Sequence, residues 1–398
     1  MHRKLALLAL TTSLVGAPIL AHAQQAACGG SVSSFRNGVE REAEADGVPA
    51  SAARQALSHA NISQHVLSMD RGQSVFKQTF LQFSQRAVSS SRLQRGKQKL
   101  QRYASTFQKA ERRYGVPGPV ITAFWGLESD YGAVQGDFNT LDALFTMAHD
   151  CRRPDLFRPQ LIAAVEMAAK GDLDPTSTTG AWAGEIGQVQ MLPKDIIDYG
   201  IDGNGNGHVR LKTDEEDVIM TAANYINALG WRRNEPWLQE VEIPNNLPWQ
   251  KTGLHKSGMT VADWQRLGVH ARSGSLPDPR LSANLIMPQG RHGPTFLAYP
   301  NFNVYLEWNK SFIYTTTAAY FATRLAGAPP YDHSNPSDGL SDAQMKQLQQ
   351  ILKRKGYDVG EVDGILGAGT RDAVRQEEQR LGLPADGWPT RELLAKLQ

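Results

Sequence analysis

Two helix-forming segments meet at a glycine- and proline-rich break in the first third of the chain. Between Gln98 and Tyr114, apolar or aromatic side chains recur every three or four residues, which is the spacing of an amphipathic helix. The run GVPGP at 115–119 ends that helix, and a proline near the first turn begins another over residues 119–132. This pattern predicts a mainly α fold.

The helical pattern covers most of the first two thirds of the chain. It extends from residue 31 to 115 and from 119 to 230, with one Gly- and Asn-rich interruption at 202–208. Residues 244–300 are richer in Pro, Gly and Trp, which predicts a small loop-rich subdomain with short strands. The last helix of this region is predicted from Ser311 to Leu325.

A turn-rich stretch with few apolar residues, 327–338, divides the chain. This composition is typical of an interdomain linker. It separates a larger region, 31–326, from a short unit of residues 339–398 with helix signals at both ends. A length of 398 residues leaves room for two or three domains.

Composition and charge narrow the class of protein. The chain is 41% hydrophobic and 21% charged, which is typical of a soluble globular protein. It has 42 Lys and Arg against 40 Asp and Glu, a formal net charge of +2. Because a nucleic-acid partner would call for a basic stripe on one face, this balance gives no case for nucleic acid.

The N-terminus has the organisation of a secretory signal peptide. A basic start and an apolar stretch through Leu20 lead to the small-x-small site Ala21-His22-Ala23, so we predict removal of residues 1–23 and a periplasmic location. A membrane anchor is the weaker alternative, because polar residues interrupt a stretch already short for a span. Lipidation at Cys28 is also disfavoured, because Gln25 stands where a lipobox needs a Leu-like residue. No later segment has the length and apolar character of a membrane span.

Cys28 and Cys151 are the two cysteines of the chain. In an oxidising compartment, two otherwise unpaired thiols favour one disulfide, which we predict here. The bond would tie the beginning of the mature chain to the middle of the larger region.

One carboxylate stands at the end of an aromatic stripe. On a helix over 119–132, Ile121, Phe124, Trp125 and Glu128 share one face. A carboxyl group beside aromatic rings loses hydration, which raises its pKa, as a general acid near neutral pH requires. The alternative is an ordinary exposed glutamate at a helix end.

Asp130 is the obvious candidate for a second catalytic carboxylate, but its position argues against it. Two residues along a helix is a rotation of about 200°, so Glu128 and Asp130 would point to opposite sides. Ordinary glycosidases need two carboxyl groups that flank the scissile bond. Asp137, Glu166 and Glu185 can approach only through folding, so the local sequence favours a single-acid mechanism.

Six sequence blocks, in order, carry a resemblance to a known family. They are WGLESDYG, GDFNTLDALFTMAHDCRRPDLFRPQL, AWAGEIGQVQMLP, YGIDGNGNGHV, AANYINALGW and NFNVYLEWNKS. Together they resemble the B-type lytic murein transglycosylases over nearly all of the chain between the signal peptide and the linker. The resemblance implies a lysozyme-like α+β catalytic domain that is largely helical.

The resemblance also implies a reaction. Enzymes of that family cleave the β-1,4 bond between N-acetylmuramic acid and N-acetylglucosamine without water and form a 1,6-anhydromuramoyl end. The family's catalytic glutamate falls on Glu128, which would protonate the leaving oxygen and then take the proton of the muramoyl 6-hydroxyl. Substrate groups would replace a nucleophilic second carboxylate. The family chemistry requires no cofactor.

Further positions carry over from the family one at a time. Gln190 matches a glutamine beside the catalytic acid, and Tyr225 matches an aromatic residue that lines the cleft. Asn309 and Tyr314 match polar cleft residues. Trp308 stands where a tyrosine is usual and keeps a flat apolar face for sugar stacking. Core packing is the alternative for each aromatic residue.

Three positions depart from the family pattern. Ala181 lacks a hydroxyl that would lie near the catalytic acid, Glu185 stands where alanine is usual, and Met191 replaces a usual phenylalanine. Because a missing hydrogen-bond partner alters a pKa, we expect activity to be retained with a changed rate and pH optimum.

Residues 202–208 have the opening half of an EF-hand-type calcium loop. Oxygen side chains stand at the first, third and fifth positions, with glycine at the sixth and a backbone carbonyl at the seventh. The usual closing glutamate is absent, so a later acidic residue would close a longer loop. The candidate ligands are Asp202, Asn204, Asn206, His208 and Asp217 (or Glu216). We expect weak binding of a structural Ca²⁺, and a turn without metal fits the sequence equally well.

The short unit at 339–398 contains two turn–helix signals, with Thr370 and Thr390 suited to helix N-caps. It resembles the peptidoglycan-binding domain 1 module, a three-helix unit. The resemblance implies that this unit holds the enzyme on polymeric substrate. A structural cap is the alternative.

The sequence is compatible with three functions. The leading one is a peptidoglycan lytic transglycosylase with glycan strands as its partner and wall-synthesis proteins as further candidate partners. A wall-binding scaffold with a decayed catalytic domain and a water-using muramidase are the alternatives. An anhydro end on the product would distinguish the lytic transglycosylase from the muramidase.

Overall fold

The computed structural model describes residues 27–72, 78–254 and 258–398. The predicted signal peptide at 1–23 lies outside the described residues. Helices dominate the described chain and the strands are short, which confirms the predicted mainly α class. Among these residues, no helix is long and apolar enough to cross a membrane.

The larger region contains fourteen α-helices within the described ranges. The first seven are α1 (Val32–Ala45), α2 (Ala50–Ser58), α3 (Gln64–Arg71), α4 (Phe80–Ala87), α5 (Ser90–Arg102), α6 (Ala104–Tyr114) and α7 (Gly118–Ser129). The next seven are α8 (Thr140–His149), α9 (Pro154–Lys170), α10 (Pro193–Tyr199), α11 (Glu215–Ala228), α12 (Val261–Arg266), α13 (Phe302–Trp308) and α14 (Phe312–Leu325).

Helix α7 is the centre of the larger region. It packs against α5, α6, α11 and α14, and Ile121, Phe124 and Trp125 have no exposed surface. A helix that is apolar on every side is stable only when it is surrounded by other elements. The aromatic stripe predicted from the sequence therefore lies in the protein core.

The helix predicted from Gln98 to Tyr114 is two helices, so that prediction was wrong in its boundary. The chain leaves α5 and enters α6 at Tyr103, whose backbone has φ −107° and ψ 30°. The Tyr103 ring lies 6.3 Å from the ring of Trp125, centroid to centroid. Packing against α7 thus changes the chain direction where the periodic pattern continues.

The prediction of unbroken helix up to residue 202 was also wrong, because residues 171–192 form no helix. Strand β1 (Phe138–Asn139) pairs antiparallel with β2 (Thr179–Gly180), and an irregular turn follows. In that turn Gly184 has φ +92°, and a Cβ there would lie 2.3 Å from the Leu144 side chain. Left-handed backbone and close approach both require glycine here.

The loop-rich subdomain with short strands is present as predicted. Its strands are β3 (Leu238–Glu242), β4 (His270–Ala271), β5 (Asn284–Ile286) and β6 (Phe296–Ala298), and a 3₁₀ turn spans Trp249–Lys251. They form an antiparallel sheet in the order β4-β3-β6-β5. A core of its own, centred on Val261, Trp264 and Leu285, stabilises this sheet.

A disulfide joins Cys28 to Cys151, with the two Cα atoms 5.3 Å apart. The backbone N–H of Gly29 donates to the carbonyl of His149 beside it, at 2.9 Å. The bond ties the segment before α1 to the turn between α8 and α9. A thiol in this bond is not available for lipidation at Cys28.

The predicted linker at 327–338 forms neither helix nor strand, yet it lies against the larger region. Tyr331 is buried, and its hydroxyl is 2.8 Å from the Ser84 hydroxyl. The backbone N–H of Asp332 donates to Glu240 at 2.8 Å, and that of Asn335 to the carbonyl of His292 at 3.0 Å. These contacts hold the linker along the surface of the larger region.

The C-terminal unit is a three-helix unit, as predicted. Its helices are α15 (Asp342–Arg354), α16 (Ala368–Arg380) and α17 (Arg391–Leu397). Leu348, Leu352, Val374 and Leu393 form the centre of its separate apolar core. Thr390 caps α17 as expected, whereas Thr370 lies inside α16, which begins after Gly367.

Candidate active site

Glu128 lies in the last turn of α7, where the helix meets the irregular turn of residues 181–192. The Ser129 hydroxyl donates to the carbonyl of Gln188 at 2.5 Å and accepts the N–H of Gly132 at 2.8 Å. The Trp125 indole N–H donates to the Gln188 side-chain oxygen at 2.9 Å. Gln188 therefore fixes α7 from both sides of Glu128. Sequence reasoning missed this residue, although it stands in the same block as Gln190.

The two oxygens of the Glu128 carboxyl group have different surroundings. Oε1 accepts the indole N–H of Trp308 at 2.8 Å and a short hydrogen bond from the Tyr314 hydroxyl. No donor within the described part of the chain reaches Oε2, and Glu128 as a residue is only partly buried. The proton of a neutral Glu128 therefore belongs on Oε2, which is free to meet a ligand.

The pKa of Glu128 is raised above its ordinary value. Burial is the largest cause, because it disfavours the charged form. The hydrogen bonds from Tyr314 and Trp308 stabilise the carboxylate and lower the pKa, while the negative charge of Glu185 raises it. The net rise keeps the acid protonated to higher pH than a free glutamate, as proton donation requires.

Trp308 has a role that the sequence did not reveal. Its ring stacks on Phe124, with centroids 4.2 Å apart and planes 23° apart, so one of its faces is covered. Tyr225 meets the indole at 5.4 Å in a tilted arrangement. The indole N–H is the group that contacts Glu128, and the stack on Phe124 holds it in place.

Asp130 is directed away from Glu128, as the helical geometry predicted. It accepts from Arg92 Nε at 2.8 Å and from Arg95 Nη2 at 2.7 Å. Burial raises its pKa, but the two arginines outweigh burial and hold the pKa below its usual value. Its backbone is left-handed, with φ 54°, and ends α7. Asp130 is thus a charged anchor for the helix end, and its lowered pKa is opposite to the shift that favours a proton donor.

The side chains of Gln190 and Asn309 hydrogen-bond to backbone groups. Gln190 has φ 48°, and its amide donates to the carbonyls of Gly187 at 2.8 Å and Gln135 at 3.3 Å. The Asn309 side-chain oxygen accepts the N–H of Ser311 at 2.9 Å. Within the described ranges, neither side chain hydrogen-bonds to Glu128.

Comparison with protein families identifies the class to which this site belongs. Residues 31–323 match the family model of the transglycosylase SLT domain. The chain belongs to the SLT-domain transglycosylase family. Residues 341–397 match a peptidoglycan binding domain, so the transglycosylase domain is followed by a wall-binding module.

Solved structures and curated proteins that are similar to this chain include lytic transglycosylases. SltB3 from Pseudomonas aeruginosa, solved in complex with NAG-anhNAM-pentapeptide, is 32% identical with a TM-score of 0.84, over 93% of this chain and 100% of that one. SltB1 from the same organism is 25% identical with a TM-score of 0.64, over 75% and 98%. Membrane-bound lytic murein transglycosylase B of Escherichia coli is 28% identical over 203 residues, which are 50% of this chain. The chain spans 56% of that curated relative's length.

The transglycosylase has a second carboxylate, Glu185, in the turn beside Glu128. The turn closes through hydrogen bonds of 2.9 Å from Ala181 N–H to the Glu185 carbonyl and 3.0 Å from Gly184 N–H to the Ala181 carbonyl. Burial raises the pKa of the Glu185 carboxyl group. Its Oε2 atom is buried and has no hydrogen-bond partner among the described residues. Glu185 therefore acts on Glu128 through charge.

The side-chain oxygens of the candidate calcium loop are engaged inside the transglycosylase. Asp202 accepts the N–H groups of Gly205, Asn206 and Gly207. The buried Asp217 carboxylate accepts those of Gly203 at 2.8 Å and Arg210 at 2.7 Å.

The candidate calcium ligands of this loop carry little negative charge. The His208 ring nitrogen Nδ1 lies 2.7 Å from the Asp172 carboxylate, so the ring is engaged outside the loop. Across the described ranges, no group of three or more His, Cys, Asp or Glu side chains is placed to hold a metal ion. Calcium prefers six to eight oxygens with several carboxylates, so the loop does not fit a strong calcium site.

Proposed function

We propose that this chain is a peptidoglycan lytic transglycosylase with Glu128 as its single acid and base. The bond cleaved is the β-1,4 bond between N-acetylmuramic acid and N-acetylglucosamine, with a 1,6-anhydromuramoyl end as product. The observation that supports this most is the asymmetric Glu128 carboxyl, held through Oε1 by Trp308 and Tyr314 and free at Oε2. Asp130, the nearest acid in sequence, is paired with two arginines.

Proton transfer from Glu128 begins the reaction. The Oε2 proton moves to the glycosidic oxygen as the bond from that oxygen to muramoyl C1 breaks, and N-acetylglucosamine leaves with a new hydroxyl. Positive charge develops at C1, where the substrate's own N-acetyl group is placed to stabilise it. The resulting Glu128 carboxylate keeps its two donors, which stabilise the negative charge that forms.

Ring closure restores the acid. The muramoyl 6-hydroxyl oxygen bonds to C1, and its proton passes to the Glu128 carboxylate. No water is consumed, the atoms balance and Glu128 ends in its starting form. A raised pKa suits both steps, because the same group must give a proton and then recover one.

We further propose peptide-bearing glycan strands as substrate and the periplasm as location. SltB3 structures contain NAG-NAM-pentapeptide and NAG-anhNAM-pentapeptide, which are the substrate and product types of this reaction. The peptidoglycan binding domain supports a polymeric wall substrate. A disulfide between Cys28 and Cys151 suits an oxidising compartment. Wall-synthesis proteins as further partners remain a prediction.

Digestion of purified sacculi tests this proposal. We expect wild-type protein to release muropeptides with anhydromuramoyl ends, resolved by liquid chromatography and mass spectrometry. Glu128→Gln keeps the shape of the side chain and removes the acid, so release should fall by about a thousandfold or more. Reducing muramoyl ends would instead indicate the water-using muramidase. Equal release by wild type and variant, or binding of sacculi with no release, would refute the assignment of Glu128.

A further inference from the structure

Three aromatic rings form a row that starts beside Glu128. The Trp308 indole donates to Glu128, and its ring lies 5.4 Å from the ring of Tyr225, centroid to centroid. The Tyr225 ring in turn lies 5.1 Å from the ring of Tyr199. All three residues are half-buried, so each keeps part of its surface exposed to solvent. The row leads from Glu128 to α10, which ends at Tyr199.

Helix α10 places one carboxylate at the far end of this row. Asp195 and Tyr199 are four residues apart, so they share one face of the helix, and the Tyr199 side chain leans back toward Asp195. Burial raises the pKa of Tyr225 to about 12, and the charge of Asp195 is the next cause of this rise. The Asp195 carboxylate is therefore close to both tyrosines.

Hydrogen bonds fix both ends of α10. The backbone N–H of Lys194 donates to the side-chain oxygen of Gln160 at 2.9 Å. At the other end, the Asn224 side chain donates to the carbonyl of Tyr199 at 2.9 Å. Asn224 precedes Tyr225 in α11, so one helix carries one ring and anchors the backbone of the next. The far end of the row is thus held in place before any ligand binds, which lowers the entropy cost of binding.

Three polar groups at this end of the row have no partner within the protein. Among the described residues, the Asp195 carboxylate and the hydroxyls of Tyr199 and Tyr225 make no hydrogen bond or ion pair. Their residues are half-buried, so the groups can still meet a ligand. Polar groups that converge without partners on an aromatic surface are characteristic of a binding site.

The other acidic residues near this end of the row are already paired. Asp198, on the exposed side of α10, lies 2.7 Å from Lys194 Nζ, and Glu307 of α13 pairs with Lys310. Burial raises the pKa of Asp195, and the charge of Asp198 raises it further. Asp195 has thus lost part of its hydration without gaining a donor from the described part of the chain.

A sugar ring has both kinds of surface that these residues can bind. Its C–H faces pack on aromatic rings, and its hydroxyl or N-acetyl N–H groups donate to a carboxylate in hydrogen bonds that the charge strengthens. The row is continuous with Trp308, which contacts Glu128. A glycan strand with its scissile bond at Glu128 can therefore extend along the row toward Asp195.

We propose that Asp195, Tyr199 and Tyr225 bind the sugar residue that follows the two residues flanking the scissile bond. We call this group the α10 subsite. The inference rests on the proposed function, because it assumes a glycan strand at Glu128. Asp195 accepts hydrogen bonds from the sugar, and the two tyrosine rings pack against it. The strand is then bound beyond the bond that is cleaved, on one side of that bond.

Cleavage of two trisaccharides tests the α10 subsite. Each contains one scissile bond, but the third sugar lies on the muramoyl side in one and on the glucosaminyl side in the other. Only one of them reaches the subsite, so Asp195→Ala should raise KM about tenfold or more for that one alone, with kcat unchanged. Asp195→Asn keeps an acceptor oxygen without the charge, so its KM should fall between those of wild type and Asp195→Ala.

Asp198→Ala is the matched control. It removes an exposed acid from the same helix and leaves the row intact, so both KM values should stay within about twofold of wild type. Thermal melting separates binding from a structural role. Because Asp195 has no partner to lose, Asp195→Ala should melt at or above the wild-type temperature. Equal losses on the two trisaccharides, or no loss on either, would overturn the proposal.

Binding to the Glu128→Gln variant does not depend on cleavage. Calorimetry with long peptide-free glycan strands compares this variant with the same variant carrying Asp195→Ala, and we expect the second to bind about tenfold more weakly. Equal affinity, or a loss seen only with peptide-bearing strands, would overturn the proposal. Failure of the wild type to form anhydro ends would count against the proposed function, whereas this comparison would still decide the role of Asp195.

Discussion

The Tyr314→Phe variant tests how the Tyr314 hydrogen bond affects the pKa of Glu128. The change keeps the ring and removes the hydroxyl that donates to Glu128 Oε1. A hydrogen bond to a charged group contributes about 1.5–3 kcal/mol, and one pKa unit corresponds to about 1.36 kcal/mol. Losing this donor destabilises the carboxylate, so the pKa of Glu128 should rise by about one to two units. In the proposed mechanism the protonated form of Glu128 is the active one, so the alkaline limb of the pH profile should move to higher pH by that amount.

The assay is the pH dependence of kcat/KM on soluble glycan strands, which reports the free enzyme. The maximum rate should fall about tenfold, because a weaker acid gives its proton less readily. Tyr305→Phe is the control, since the Tyr305 hydroxyl is buried near Phe124 without a partner in the described structure. An alkaline limb that stays in place or moves to lower pH in Tyr314→Phe would refute the reasoning.

Four other predictions concern charge, stability and metal. Glu185→Ala removes a negative charge that raises the pKa of Glu128, so the alkaline limb of the same profile should move to lower pH, and an upward shift would contradict this. Asp130→Asn can keep the left-handed backbone, so activity should stay within about threefold while urea unfolding shows a loss of about 1 kcal/mol; abolished cleavage would make Asp130 catalytic. Cys28→Ser opens a link across 123 residues and should lower the free energy of unfolding by about 3–5 kcal/mol, as measured in urea without reductant. Calcium at ten times a millimolar Kd should stabilise the fold by only about 1.4 kcal/mol, and a much larger gain in thermal melting would show that the loop at 202–208 binds strongly.

Local periodicity was enough to predict the core of the site. Ile121, Phe124 and Trp125 share a helical face with Glu128, and the structure buries all three. The same rotation argument placed Asp130 on the other side. These predictions succeeded because they depend on spacings of a few residues, which the helix itself determines.

Contacts between distant parts of the chain could not be predicted in this way. The hydrogen bond from Trp308 to Glu128 spans 180 residues of sequence, and the one from Tyr314 spans 186. The resemblance marked these positions, but only folding shows that both donors meet one oxygen.

Two errors in the predicted helices have tertiary causes. The break at Tyr103 arises because its ring packs near Trp125 while the local pattern continues to favour helix. The irregular turn at 181–192 depends on glycines in left-handed conformations, such as Gly184, that carry no periodic signal. Both departures lie beside α7, where the chain bends to surround Glu128.

The measurement that tests the central claim most directly is cleavage of peptidoglycan in oxygen-labelled water. If Glu128 acts as the single acid and base and the muramoyl 6-hydroxyl closes the ring, wild-type products carry anhydromuramoyl ends, one water lighter than reducing ends, and contain no label. Labelled reducing ends formed by the wild type and lost in Glu128→Gln would contradict a non-hydrolytic mechanism while keeping Glu128 as the acid. Unlabelled anhydro ends that persist in Glu128→Gln would contradict the role of Glu128 itself.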